Sequence, residues 1–154
     1  MNIRPGTTSD AGSIAALVRE FEPLLVEDPS AAAPFWESMS EGVHAQNLGS
    51  ERFRYLVAES GGELLGFIAT RDELHLFNLF VSPHRQRQGI GRALWTSVLR
   101  QLPIVPAGRC ITVNASPNAV AVYRAFGFLE VGSVVRTHGI AFVPMQRCEP
   151  SNAA

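Results

Sequence analysis

Residues 74–94, LHLFNLFVSPHRQRQGIGRAL, constrain the fold more than any other part of the chain. They open on an apolar run, residues 74–81, rich in Phe, Leu and Val, as in a buried strand. Ser82-Pro83 ends it, because proline lacks the N–H a strand ladder needs. A basic segment follows, residues 84–88 (HRQRQ), and then Gly89-Ile90-Gly91. From there Ile90, Leu94, Val98 and Leu102, flanked by Ala93 and Leu99, keep the helical period. The stretch therefore reads as strand, basic glycine turn, helix.

Such a turn leaves backbone N–H groups free at a helix N-terminus, where they and the helix dipole favour an anion, above all a phosphate. Gly89 and Gly91 let a ligand approach the backbone. Arg85, Arg87 and Arg92 add charge, and a guanidinium matches phosphate geometry. A bare G-x-G is weak evidence. The dinucleotide fingerprint needs a third glycine where this chain has Leu94, and the Walker pattern is absent. The pattern that fits is Q-x-x-G-x-G, residues 86–91, preceded by L-F-V-x-P. A nucleotide-binding regulator would need a lysine after the glycines or a ribose-binding acid after the next strand, and neither is found.

A chain of 154 residues suits one domain with one substantial core, here residues 1–148, with a loose tail from 149 to 154. Net charge is −1, which argues against a nucleic-acid surface. No apolar run reaches the roughly 20 residues that span a bilayer. The first residues, MNIRPGTTSDAG, hold no apolar signal core, so the expected compartment is the cytoplasm. Cys110 and Cys148 match no metal spacing; Cys110, at the start of a predicted strand, reads as a small core residue.

In chain order, residues 2–5 predict a strand and Ile14, Leu17, Val18 and Phe21 a helix capped near Thr8-Ser9-Asp10. Residues 31–46 predict a second, loosely amphipathic helix carrying Phe35, Trp36, Met39 and Val43. Residues 53–59 and 63–71 predict a hairpin about Gly61-Gly62. After the central stretch come a loop with Pro103, Pro106 and Gly108, a strand over 109–115 and a helix starting near Ser116-Pro117-Asn118. Strands over 128–135 and 139–145 close the chain. About seven strands and four helices result. The strand–helix–strand unit over 74–115 implies a right-handed parallel crossover, and its flanking hairpins imply antiparallel neighbours. The fold class is α/β, a mixed sheet with helices on both faces.

The Q-x-x-G-x-G turn resembles the acetyl-CoA signature of the GNAT superfamily of N-acetyltransferases. So does the order of elements over nearly the whole chain, along with the opening Ile3-Arg4-Pro5…Ser9-Asp10-Ala11 and the segment S-P-N-A-V-A-V-Y (116–123) with Phe126-Gly127-Phe128. Family members often read N-x-x-A-x-x-x-Y there; alignment on Tyr123 puts Ala119 on the family alanine and Ser116 on the family asparagine, a shorter side chain. The resemblance implies a splay between two central parallel strands, 74–81 and 109–115, with acetyl-CoA as cosubstrate and no metal. Backbone groups of Leu79, Phe80 and Val81 would pair with the pantetheine arm. The pyrophosphate would rest on Gln86, Arg87, Gln88, Gly89, Ile90, Gly91 and Arg92, and Ser116, Asn118 and Ala119 would complete the cofactor site.

The same resemblance implies direct attack of an amine on the acetyl thioester. It makes Tyr123 the acid that protonates the departing thiolate; taken alone, Tyr123 is a packing tyrosine at a helix end. Some relatives place a glutamate near His75. A histidine titrating near pH 6.5 is a candidate base, although a strand histidine hydrogen-bonded in the sheet is the competing reading. Bacterial ribosomal-protein acetyltransferases carry a glutamate on the following strand, where this chain has Ile111. The acceptor, a small-molecule, peptide or protein amine, would be met by the first helices and the last hairpin. The acidic residues Glu20, Glu22, Glu27, Asp28, Glu37 and Glu41 suggest a cationic amine. No membrane or nucleic-acid partner is expected, and a homodimer is compatible with the reading. The alternative to an enzyme is a non-catalytic acyl-CoA-binding or sensing module.

Overall fold

The computed structural model describes residues 1–102 and 106–149. Eight strands and six α-helices alternate in the order β1 (Asn2–Pro5), α1 (Ala11–Arg19), α2 (Glu22–Leu25), α3 (Ala33–Ser38), α4 (Glu41–Leu48), β2 (Phe53–Ser60), β3 (Glu63–Arg71), β4 (His75–Val81), α5 (Ile90–Gln101), β5 (Cys110–Ala115), α6 (Val120–Ala125), β6 (Leu129–Glu130), β7 (Val135–Thr137) and β8 (Ile140–Cys148). The sheet runs β1-β2-β3-β4-β5-β8-β6, with β7 also on β8. Among the described residues only β4 and β5 pair in parallel, and α5 joins them, as the apolar run and the helical period that follows it require.

The β2–β3 hairpin turns on Gly61 (φ 57°) and Gly62 (φ 82°), both in the left-handed region that matches strand twist. One core cluster packs Leu94, Trp95 and Val98 of α5 with Tyr123, Phe126 and Phe128 against Leu56, Ile68 and Leu76. The other packs Ile14, Leu17 and Val18 of α1 with Met39 against Tyr55, Val57 and Phe67 on the opposite face. Each such side chain contributes about 1.5–3 kcal/mol through burial. Arg4 ties the chain start together: it donates to both Asp10 carboxylate oxygens at 2.9 Å and pairs with Glu59 at 3.0 Å. Those contacts hold the Asp10 carboxyl below its ordinary range.

Three expectations are corrected. The single helix over 31–46 is two, because the Ser40 hydroxyl accepts from Val43 N–H at 3.2 Å and starts α4 afresh after Met39. The strand over 128–135 is two short pieces. Val131 N–H donates to Pro144, and Gly132 lies so close that a Cβ would sit 2.9 Å from Pro144 Cγ, so pairing breaks between β6 and β7. Cys110 is not an unpaired core residue. It is half-buried, directly opposite exposed Cys148 in the β5–β8 ladder, and disulfide-bonded to it. Of the expected tail, Glu149 is held by backbone bonds to Arg109 and Gly108; residues 150–154, like Pro103 of the expected loop, lie outside the described residues. Among the described residues no helix is long and apolar enough to cross a membrane.

His44 is fully buried (0% exposed), with Nδ1 2.9 Å from the Tyr55 hydroxyl and Nε2 without a partner among the described residues. Burial lowers its pKa to about 4. Between that value and an unfolded value near 6.5, the unfolded chain binds the extra proton. His44 therefore contributes stability that is complete above pH 6.5 and falls as pH drops towards 4, by about 3 kcal/mol. Denaturant titrations at pH 7, 5.5 and 4 should show this slope, and His44→Leu should flatten it.

Candidate active site

The gap between β4 and β5 begins at a bulge. Along β3, Thr70 faces Leu76 but Ala69 faces Asn78, so Phe77 is an extra residue on β4. Parallel pairing stops at the same point, since only His75↔Thr112 and Leu76↔Val113 are joined. Beyond Leu76 the two strands diverge. Ser82 N–H donates to Leu65, so alternation along the antiparallel ladder turns the backbone groups of Phe80 and Asn78 to β3 and those of Leu79 and Val81 into the gap. The Val81 carbonyl accepts from Gln86 Nε2 at 3.3 Å. The sequence places Leu79 and Val81 on a strand; the bulge decides that their amides are free.

Below the gap, Arg87 (φ 63°) and Gly89 (φ 81°) both sit in the left-handed region, the second as N-cap of α5. Ala93 N–H makes the first helical bond, to Gly89. Among the described residues no protein group accepts from the N–H groups of Ile90, Gly91 or Arg92. A Cβ on Gly89 would meet nothing within 4 Å. This is an open anion cradle of the kind phosphates occupy. Arg87 is a non-glycine residue in the left-handed region, an uncommon conformation for its type.

A cavity of about 560 Å³ joins these parts. Leu79, Phe80 and Val81 line it together with Gln86, Arg87 and residues 89–92 of the glycine turn, and with Ser116, Asn118, Ala119 and Tyr123. Gln88 of the expected cofactor residues does not line it. Phe21 and Leu25 do, from the first helices; the helical stripe of residues 14–21 reads Phe21 as core, and Leu25 carries no expectation from the sequence. A second cavity of about 270 Å³ opens beyond the splay, and Leu79, Ser116 and Tyr123 line both.

Tyr123 is 6% exposed on α6. Its ring is held edge-on by Phe128 (5.7 Å between centroids) and Phe126 (6.3 Å). Among the described residues no group bonds its hydroxyl, and burial raises the phenol above its ordinary value of 10.0. It is therefore a neutral proton donor at the meeting of the two cavities. His75 lines the second cavity, half-buried, with Nδ1 2.8 Å from Thr112 Oγ1. Burial and Arg71 lower its pKa while Asp72 opposes them, so it is neutral near pH 7 with Nε2 left over. Ile111, where relatives were expected to carry a glutamate, is 2% exposed in the α5–α6 core; Thr112 and Asn114 flank it on the other face. None of the acidic residues between Glu20 and Glu41 lines either cavity; Glu27 pairs with Arg136 at 3.1 Å and Asp28 caps Ser30.

Residues 24–148 match the family described as "Acetyltransferase (GNAT) domain". The chain is 36% identical over 96 residues to the [Ribosomal protein bS18]-alanine N-acetyltransferase of Escherichia coli, an overlap of 59% of this chain and 64% of that protein's length. Among solved structures it resembles a GCN5-related N-acetyltransferase from Rhodopseudomonas palustris (TM-score 0.76, 21% identity, 96% of this chain and 94% of that one). It also resembles the paia N-acetyltransferase from Thermoplasma acidophilum in complex with coenzyme A (TM-score 0.70, 16% identity, 96% and 98%). At these identities the solved structures speak for the fold.

Proposed function

The chain belongs to the GNAT acetyltransferase superfamily, and from that premise we propose that it is an enzyme that moves an acetyl group from acetyl-CoA to a primary amine by direct attack in a ternary complex. One observation carries the reading: the unbonded Tyr123 hydroxyl stands where a cavity with a phosphate cradle meets a second, mostly apolar one. The first cavity holds the donor, its diphosphate on the free N–H groups of Ile90, Gly91 and Arg92 with Arg87 and Arg92 alongside. The pantetheine arm lies along Leu79 and Val81 as an added strand.

The acceptor enters the second cavity. An alkyl amine is almost wholly protonated at pH 7, and its neutral form costs about 4–5 kcal/mol to reach. His75, or a water on it, takes that proton. The amine nitrogen then bonds to the thioester carbonyl carbon, and the free Leu79 N–H stabilises the oxyanion. The C–S bond breaks, and the sulfur leaves with the Tyr123 proton. The nitrogen gives up its second proton through water to the phenolate, which restores Tyr123, and His75 releases the first to solvent.

The test is thiol release from acetyl-CoA, with product mass, across an amine panel that includes a peptide beginning with alanine, the acceptor in the name of the E. coli relative. Transfer to at least one amine is the expected result. Tight CoA binding with no transfer to any of them would replace the enzyme with a non-catalytic acyl-CoA-binding module.

A further inference from the structure

The second cavity has walls of one kind. Leu25, Phe35, Met39, Phe77, Ile140 and Phe142 supply them, from α2, α3, the β4 bulge and the β7–β8 hairpin. Its polar liners are His75, Asn78, Asn114, Ser116 and Tyr123 together with Arg71, which stands opposite His75 in the β3–β4 ladder. Among the residues lining it, Arg71 alone is permanently charged, and no carboxylate is present.

Arg71 is short of a counter-ion. Its neighbour Asp72 is held in two bonds by Arg52, at 2.9 and 2.8 Å, and meets Arg71 only at 3.9 Å. The Arg71 guanidinium lies 5.3 Å over the Phe77 ring, which fixes its place at the cavity wall. Asn78 is 8% exposed, with Oδ1 unpartnered among the described residues and Nδ2 3.9 Å from Met39 Sδ. A buried amide left half-satisfied costs free energy unless something arrives to bond it.

These features discriminate among amines. A polyamine would bring a second cation into apolar surroundings with Arg71 already there and no carboxylate to meet it, which both desolvation and repulsion oppose. An apolar body fills the walls, and an anionic group satisfies Arg71. We infer that the acceptor is amino-acid-like: a primary amine on an apolar or aromatic body that carries one carboxylate, the carboxylate paired with Arg71. This rests on the transferase reading for its assignment of the second cavity to the acceptor, and it replaces the cationic acceptor that the acidity of residues 20–41 suggests.

Binding, rather than turnover, tests it. Calorimetry on the CoA-saturated protein would compare L-phenylalanine, L-phenylalaninamide and spermidine as probes, with the wild type and Arg71→Gln. A charge-assisted bond predicts L-phenylalanine binding about tenfold or more tighter than its amide, spermidine weakest, and the preference for the carboxylate lost in Arg71→Gln. The inference is overturned if the amide or spermidine binds as tightly as L-phenylalanine, if none of the three binds, or if Arg71→Gln keeps the preference. Thiol release measured alongside separates the two readings. Carboxylate-dependent binding with no transfer to any amine sinks the transferase and leaves the cavity's selectivity; acetylation of spermidine alone does the reverse.

Discussion

Tyr123→Phe is expected to lower turnover by about 10²–10⁴-fold, the usual worth of a positioned general acid, while leaving CoA affinity within a few-fold of wild type. The ring sits between Phe126 and Phe128 and its hydroxyl makes no bond to the described protein, so removing one oxygen disturbs neither packing nor a network. What is lost is the proton. Without it the thiolate leaves unprotonated, or water must enter a largely apolar junction to supply one. Burial raises the phenol above its ordinary value of 10.0, so the residue remains a donor across the neutral range. Pre-steady-state thiol release beside CoA calorimetry would check this. Turnover unchanged in the variant would remove Tyr123 from the mechanism, and a parallel loss of CoA binding would make it a cavity wall.

Opening the Cys110–Cys148 bridge is expected to cost about 4 kcal/mol of stability, from the loop-closure entropy of its 38-residue separation. The bridge joins facing residues at one end of the β5–β8 ladder, and β5 is one side of the gap that opens beside β4. Denaturant midpoints with and without dithiothreitol, and for Cys110→Ser with Cys148→Ser, would measure it. A reductant-insensitive midpoint would mean the thiols are not joined in solution. The result also bears on the expected compartment, because a reducing cytoplasm keeps such thiols apart and an oxidising one joins them. The pair is invisible at sequence level: 38 residues separate the two cysteines, and only the register of β8 against β5 brings them face to face.

The same distinction runs through the site. The glycine turn was legible because the residues that make it are local. Pro83, the glycines and the helical period of residues 90–102 lie within one short segment, so spacing alone predicts free amides at a helix start. Tyr123 was singled out by the family resemblance of residues 116–128, and two of its neighbours in sequence, Phe126 and Phe128, hold its ring edge-on. The second cavity was not legible. Phe35, Arg71, Asn114 and Phe142 are far apart in the chain and meet only when α3, β3, β5 and the last hairpin close round one cavity. Acidic residues crowded together at 20–41 are conspicuous in the sequence, yet in the fold Glu22 pairs with Arg19, Glu27 with Arg136 and Asp28 with Ser30, and none lines either cavity.

Local order therefore set most element types and the glycine turn, since each follows from residues within a turn or two of one another; Tyr123 was singled out only by the family resemblance. Long-range packing alone decided where the strands part. One extra residue at Phe77 ends the parallel pairing, frees the Leu79 and Val81 amides and opens the second cavity. A bulge is a mismatch between two strands, and a mismatch cannot be read from either strand alone.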